Sequence, residues 1–208
     1  MRKTIAVIGE GITEKYYIES LKGLSPFTVL PKELNNKASS LRKLEEIIQY
    51  SINDAYDEVY CLIDMDGKKE GKTNTDYLKL KIKYHNTTQI IKKRGIKCKI
   101  IFIETERCTE LWFLYHFTKS SITREFTSYK EVENELKKFR PHYEKTEKYF
   151  RSITSLHKEM TNQRTPHGAL KQAISNSKNS VVSKDRDQRN YTYSEIHILI
   201  EALSISNI

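Results

Sequence analysis

The chain has 208 residues, with 36 Lys or Arg against 27 Asp or Glu, a formal net charge of +9. Hydrophobic residues at 38% exclude a disordered chain, and the length allows one compact core or a core with a smaller appendage. Three cysteines without a Cys-x-x-Cys pair argue against a disulfide framework or a thiolate metal cluster, and fit a reducing cytoplasm. Neither a secretory leader nor a membrane span is expected. The positive excess points to a polyanionic partner such as nucleic acid, or to lysine-rich helix faces.

Thr4-Ile5-Ala6-Val7-Ile8 is a β-branched run of one buried strand's length. Gly9-Glu10-Gly11 follows, and then a helix entered at Thr13 as N-cap. Residues 24–36 read as a loop holding a short strand at Phe27-Thr28-Val29-Leu30. Ser39 or Ser40 caps a helix whose face is Leu41, Leu44, Ile47, Ile48 and Ile52. Glu58 to Ile63 is a second buried strand, running into Asp64-Met65-Asp66-Gly67 and a polar loop to Asn74. A helix is expected from about Thr75 to Arg94, stopped by Gly95, and then a third strand over Lys97–Ile103, ending in Glu104 and Glu106.

Glu110 to Phe117 reads as a mostly buried helix. Ser128-Tyr129-Lys130-Glu131 is a capping box before Val132, Leu136 and Phe139, with Pro141 ending that helix. A further helix is expected over Tyr143–Met160, and another opens at Thr165-Pro166. Residues 175–190 read as a mobile surface loop. Thr192-Tyr193-Ser194-Glu195 is a second capping box before Ile196, Leu199, Ile200 and Leu203. Strands alternating with helices, then helices alone, predict a mainly parallel α/β sheet over residues 1–118 with a basic α-helical extension over 119–208.

If the strands ending at Ile8 and Ile63 are parallel neighbours, Glu10, Asp64 and Asp66 come to one edge, where open α/β sheets bind ligands. Alternation puts both side chains of Asp64-x-Asp66 on one side of the backbone. Carboxylates so crowded repel one another unless protonated or offset by a cation, and magnesium or manganese prefers such oxygen ligands. An ordinary Asp-Gly turn after a strand is the plainer reading of Asp64-Met65-Asp66-Gly67.

Gly9-Glu10-Gly11-x-Thr13-Glu14-x-x-Tyr17 followed by Asp64-x-Asp66 resembles the Toprim catalytic fold as carried by RloB-like (AbiLii-like) proteins. Glu110-Leu111-Trp112-Phe113-Leu114-Tyr115-His116-Phe117 is similar to that family's Phe-Glu-Leu-Trp-Leu-Leu-Leu-His-Phe block. The family block usually begins Ser-Asn-Pro, whereas this chain has Thr105-Glu106-Arg107, so the loop there differs. The resemblance implies a Toprim-like sheet in which Glu10 is a metal ligand or general acid/base and Asp64 and Asp66 are metal ligands. Glu14 is implied as a second-metal ligand, or is simply an acid favoured in a first helical turn. It also implies a magnesium- or manganese-dependent nuclease of phage-defence and abortive-infection loci, often beside an ABC-type ATPase.

Lys68, Lys69 and Lys72 follow the Asp-x-Asp and can meet substrate phosphates, or be plain loop lysines. Lys137, Lys138, Arg140, Lys145, Lys148 and Arg151, interleaved with Tyr143, Tyr149 and Phe150, can hold a nucleic-acid backbone or simply solvate helix faces. His116 and Trp112 read as core; Glu110 is a further candidate acid. No Walker-type loop is present. The alternatives to a nuclease are a non-catalytic module that binds nucleic acid or the ATPase, and a phosphotransfer enzyme on a small phosphate ester.

Overall fold

The computed structural model describes residues 3–30, 41–69, 71–91, 96–120, 125–161 and 169–205. They fall into two compact units, Met1–Ile63 with Gly67–Ile103, and Asp64–Asp66 with Glu104–Ile208. The expected caps at Ser39, Ser40 and Thr165-Pro166, and the stop at Gly95, lie outside the described residues.

The first unit is built on a five-stranded, mostly parallel sheet: β1 (Ile5–Ile8), β2 (Thr28–Leu30), β3 (Glu58–Asp64), β4 (Thr88–Ile91) and β5 (Ile96–Thr105). The strand order is β2-β1-β3-β5-β4. β1 runs parallel to both neighbours, with Val7 opposite Val29 and Ile8 opposite Cys61. Its continuous apolar run is explained by burial on both faces, as parallel central strands require: Ala6, Val7, Ile8, Val59, Cys61, Leu62 and Ile63 are all buried.

Helices α1 (Ile12–Leu21), α2 (Leu41–Asn53) and α3 (Gly71–Tyr84) add Tyr17, Ile18, Leu44, Ile48, Tyr77 and Tyr84 to that core. The face read from sequence for α2 is buried at Leu44, Ile47, Ile48 and Ile52. Two expectations are corrected. Helix α1 is entered from Gly11, in extended backbone and without a side-chain cap bond, so Thr13 lies inside the helix. The helix expected to reach Arg94 stops at Tyr84, and Thr88–Ile91 instead pairs antiparallel with β5. Asn86, at φ 55, takes the left-handed turn that Asn tolerates, and β-branched residues after it favour a strand.

The second unit is helical: α4 (Glu110–Tyr115), α5 (Tyr129–Lys137), α6 (Glu147–Ser152), α7 (Leu156–Thr161), α8 (Ala169–Asp187) and α9 (Ile196–Ala202). Every side chain of α4 is buried, and α4 packs on α5 and α8. Trp112 and His116 are core as read; His116 Nδ1 lies 2.9 Å from the Trp112 carbonyl.

Here four expectations are corrected. The single helix over 143–160 is two, because Ile153 is extended; Thr146 caps the first, accepting from the Tyr149 amide. Residues 175–187 are not a loop but the body of α8, whose buried stripe is Ala169, Ala173, Asn176, Ser177 and Ser180. That stripe is polar because its groups are bonded inside. Asn176 donates to the Tyr115 and Thr118 carbonyls at 3.0 and 2.9 Å, and Ser177 to the Ser194 carbonyl. Phe139 is exposed rather than core, stacked on Phe117 at 5.4 Å. The box at Thr192–Glu195 does not form. Glu195 precedes α9 with no side-chain cap bond, and its carboxylate accepts from the Glu104 amide at 2.9 Å.

The box at Ser128 does form, with the Glu131 amide donating to Ser128 Oγ, while the Glu131 carboxylate accepts from the Thr127 amide. Among the described residues no helix is long and apolar enough to cross a membrane.

Candidate functional site

In the first unit β1 runs into Gly9-Glu10-Gly11, and the Gly9 amide donates to the Leu30 carbonyl at 3.2 Å, so the turn stays tied to β2. Glu10 Oε2 accepts from Lys68 Nζ at 2.8 Å, and both side chains are largely covered, at 9% and 14% exposed. The negative charge of Glu10 reaches the neighbouring strand: the Cys61 thiol is pushed well up, first by burial and then by Glu10. Lys68 follows Gly67, whose φ of 67 is left-handed, and precedes Gly71 at φ 58. Glycine adopts both freely.

Glu14 is buried in the first turn of α1. The glycines make room for it. A Cβ on Gly11 would lie 2.5 Å from Glu14 Oε2, and one on Gly9 would lie 2.9 Å from the Glu14 Cβ. Glu14 Oε1 is shut from solvent and accepts no hydrogen bond. A buried oxygen in that state carries an unmet desolvation cost. Lys69 and Lys72 are exposed.

In the second unit, Asp64 accepts from Thr109 Oγ1 at 3.2 Å. The Met65 amide donates to the Thr105 carbonyl at 2.9 Å, and Met65 is buried between the two aspartates. The Asp66 side chain is 62% exposed, and Arg107 Nη1 stands 3.5 Å from its Oδ1. Arg107 has φ 31 and is anchored by a 2.7 Å bond from Nε to the Phe126 carbonyl. Glu110 is fully buried; Tyr143 donates to it at 2.8 Å, and Lys145 reaches it from the edge at 3.4 Å. The Cys108 thiol is pushed well up by burial and by the charges of Glu110 and Asp64.

The sequence matches the family model of the RloB-like protein over residues 5–203, nearly the whole chain. The chain belongs to the RloB-like family. No curated protein and no solved structure matches it.

Within this RloB-like chain the acids read from sequence are therefore divided. Glu10 and Glu14 belong to the first unit with Lys68, and Asp64 and Asp66 to the second with Arg107 and Thr109. Among the described residues, no three His, Cys, Asp or Glu side chains gather closely enough to hold a metal ion.

Taken unit by unit, the donors are carboxylate oxygens, the kind a hard divalent cation takes. In the first unit Glu10 faces an ammonium and Glu14 Oε1 is buried and accepts no hydrogen bond; in the second Asp66 faces a guanidinium. Arg107 and Thr109 were not read as functional from sequence; the signal available was the departure at Thr105-Glu106-Arg107.

The basic helices are largely self-paired. Lys137 bonds Glu133 at 2.9 Å, Lys138 bonds Glu135 at 2.8 Å, and Arg151 bonds Glu147 at 2.5 Å. Tyr143 and Phe150 are core. Their burial removes them as base-stacking platforms; Tyr149 is half-buried.

Proposed function

We propose that this RloB-like chain is a divalent-metal-dependent nuclease with a Toprim-type catalytic half, hydrolysing phosphodiesters of RNA or DNA in the cytoplasm as an effector of anti-phage defence. The observation that carries it is the Glu14 Oε1 atom, buried beside Gly9-Glu10-Gly11 and accepting nothing, in a chain whose Glu10 already draws an ammonium to 2.8 Å. Oxygen atoms of this kind are what magnesium or manganese takes up. The family resemblance, not the arrangement of the two units, assigns Glu10, Asp64 and Asp66, with Glu14, to the ion, which when bound would supply Lewis-acid polarisation of the phosphate and a more acidic water.

The chain's own residues set the conditions for that chemistry. Thr109 orients Asp64 through its hydroxyl bond. Lys68 offsets the charge of Glu10. Lys68, Lys69 and Lys72 are proposed to meet substrate phosphates, and an ABC-type ATPase from the same locus is the proposed controller.

The test is magnesium-dependent cleavage of RNA and DNA substrates by the wild type, Glu10→Gln and Asp66→Asn, with EDTA as control. Loss of cleavage in both variants is expected. Cleavage at the wild-type rate in either one overturns the assignment.

A second reading has its own observation: no three ligating side chains gather among the described residues. With Lys68 and Arg107 already against the acids, the chain would be a metal-free nucleic-acid- or ATPase-binding module. Calorimetric titration separates the two, since the module takes up neither magnesium nor manganese.

A further inference from the structure

We infer that Arg107 is a phosphate-gripping residue, whose two terminal nitrogens take oxygens of a substrate phosphodiester beside Asp66. The inference rests on the nuclease reading and names a substrate contact that the reading leaves out.

The guanidinium is fixed at one point. Nε donates to the Phe126 carbonyl at 2.7 Å, and the side chain is only 24% exposed. The terminal nitrogens, by contrast, make no hydrogen bond among the described residues. Their carboxylate neighbours stand off: Nη1 lies 3.5 Å from Asp66 and Nη2 lies 3.9 Å from Glu125, while Nε is 3.7 Å from Glu106. Charge-assisted bonds to carboxylates close to about 2.7–2.9 Å.

So the fork is held in place and attracted by charge, but its donors are not engaged. A planar fork in that state matches two oxygens of a phosphate, which a lysine ammonium cannot do in the same way. The backbone supports this: Arg107 sits at φ 31, a conformation uncommon for a side chain of its size. The three carboxylates around it oppose an anion. A cation bound at Asp66 would offset that opposition, so nucleic-acid affinity is expected to rise with divalent metal.

Binding, not cleavage, is the readout. Fluorescence anisotropy of a labelled single-stranded oligonucleotide, RNA and DNA in turn, is measured in calcium and in EDTA across a salt series. Gels verify that the probe stays intact, and thermal melts verify that each variant is folded.

For Arg107→Ala, affinity in calcium should fall about tenfold and the salt dependence should shallow by about one phosphate contact. Arg107→Lys, which keeps the charge, should restore the slope while remaining several-fold weaker than wild type. It also decides the matter if the alanine variant fails to fold. Wild-type affinity in Arg107→Ala, tighter binding, or full rescue by lysine makes Arg107 a counter-ion of Asp66 and overturns the inference. A wild type that binds but does not cut in magnesium sinks the hydrolase reading and leaves the comparison of affinities to decide Arg107. A wild type that binds neither probe overturns both.

Discussion

The two acidic turns of this chain are constructed differently. After β1, Glu10 and Glu14 are covered, Glu14 is packed on glycine backbone, and Lys68 closes on Glu10 at 2.8 Å. After β3, Asp66 is mostly in solvent and its arginine stands back at 3.5 Å. In the first turn, the proposed chemistry and the packing share the same atoms. In the second, the carboxylate contributes little to the fold. Substitutions of the first turn's carboxylates should therefore lose stability and function together, and those of Asp66 should lose function alone.

The largest effect expected is on cleavage. Asp66→Asn should lower magnesium-dependent turnover by about 100-fold or more, as removal of a charge-stabilising group does, with Tm unchanged. Glu10→Gln should lose as much activity and also lower Tm, because it removes the negative charge that faces a largely buried ammonium, leaving at most a neutral acceptor. Equal Tm for the two variants, read by calorimetry, would erase the distinction between the turns.

Acid should find the helical unit's weak point away from Asp66. Burial lowers His116 from its usual 6.5 to about 3, with His157 and Arg140 adding to the effect against partial help from the Trp112 carbonyl. Burial alone lowers His157 to about 4. Between those values and 6.5 the unfolded chain binds protons that the folded chain refuses. Stability is therefore whole above 6.5 and falls as pH drops, by about 1.4 kcal/mol per pH unit for each histidine. Denaturation between pH 7 and 5 should show it, with a flatter dependence in His116→Gln. An unchanged slope in that variant would mean that the carboxylates, not this histidine, set the acid limit.

Much of this architecture was legible because apolar runs at period two or 3.6 declare themselves. β1, β3, β5 and the α2 face were read within a few residues. What escaped were elements whose buried faces are polar. Helix α8 hides Asn176, Ser177 and Ser180 by bonding each to its neighbours, so its composition imitates a loop. Glu10, Asp64 and Asp66 could be named as candidates because each ends or follows a strand. Lys68 was read only as a phosphate contact; its pairing with Glu10, and Arg107's place beside Asp66, were not readable, since a side chain's reach across a turn leaves no periodicity. Tyr143 was open to reading as a stacking platform. Its hydroxyl on buried Glu110 makes it structural.

The glycines sharpen the contrast within one turn. A methyl on Gly9 meets the Glu14 Cβ at 2.9 Å, next to the helix backbone, and cannot be relieved by rotating a terminus. Gly9→Ala should cost about 1–3 kcal/mol of stability by overpacking. A methyl on Gly11 meets only the far end of Glu14, which can swing away. Gly11→Ala should melt within about 1 kcal/mol of wild type yet bind manganese more weakly, since it is the carboxylate that yields. Matching losses of stability in the two variants would show that the glycines serve the turn, not the carboxylate.

The smallest effect expected is at Lys68, and it has the opposite sign. Its ammonium occupies Glu10 Oε2, an oxygen that a divalent ion would need. Two like charges do not share one carboxylate oxygen without cost, so the lysine would compete with the proposed metal for as long as it stays there. Lys68→Met keeps most of the length of the side chain and removes the charge. Manganese affinity, read by calorimetry without nucleic acid, should then rise by up to about tenfold, or 1.4 kcal/mol. Asp66 lacks so tight a partner, and the same truncation at Arg107 should move manganese affinity less. If Lys68→Met weakens manganese binding instead, the lysine is holding Glu10 in position, and the first turn depends on its cation for shape as well as for charge.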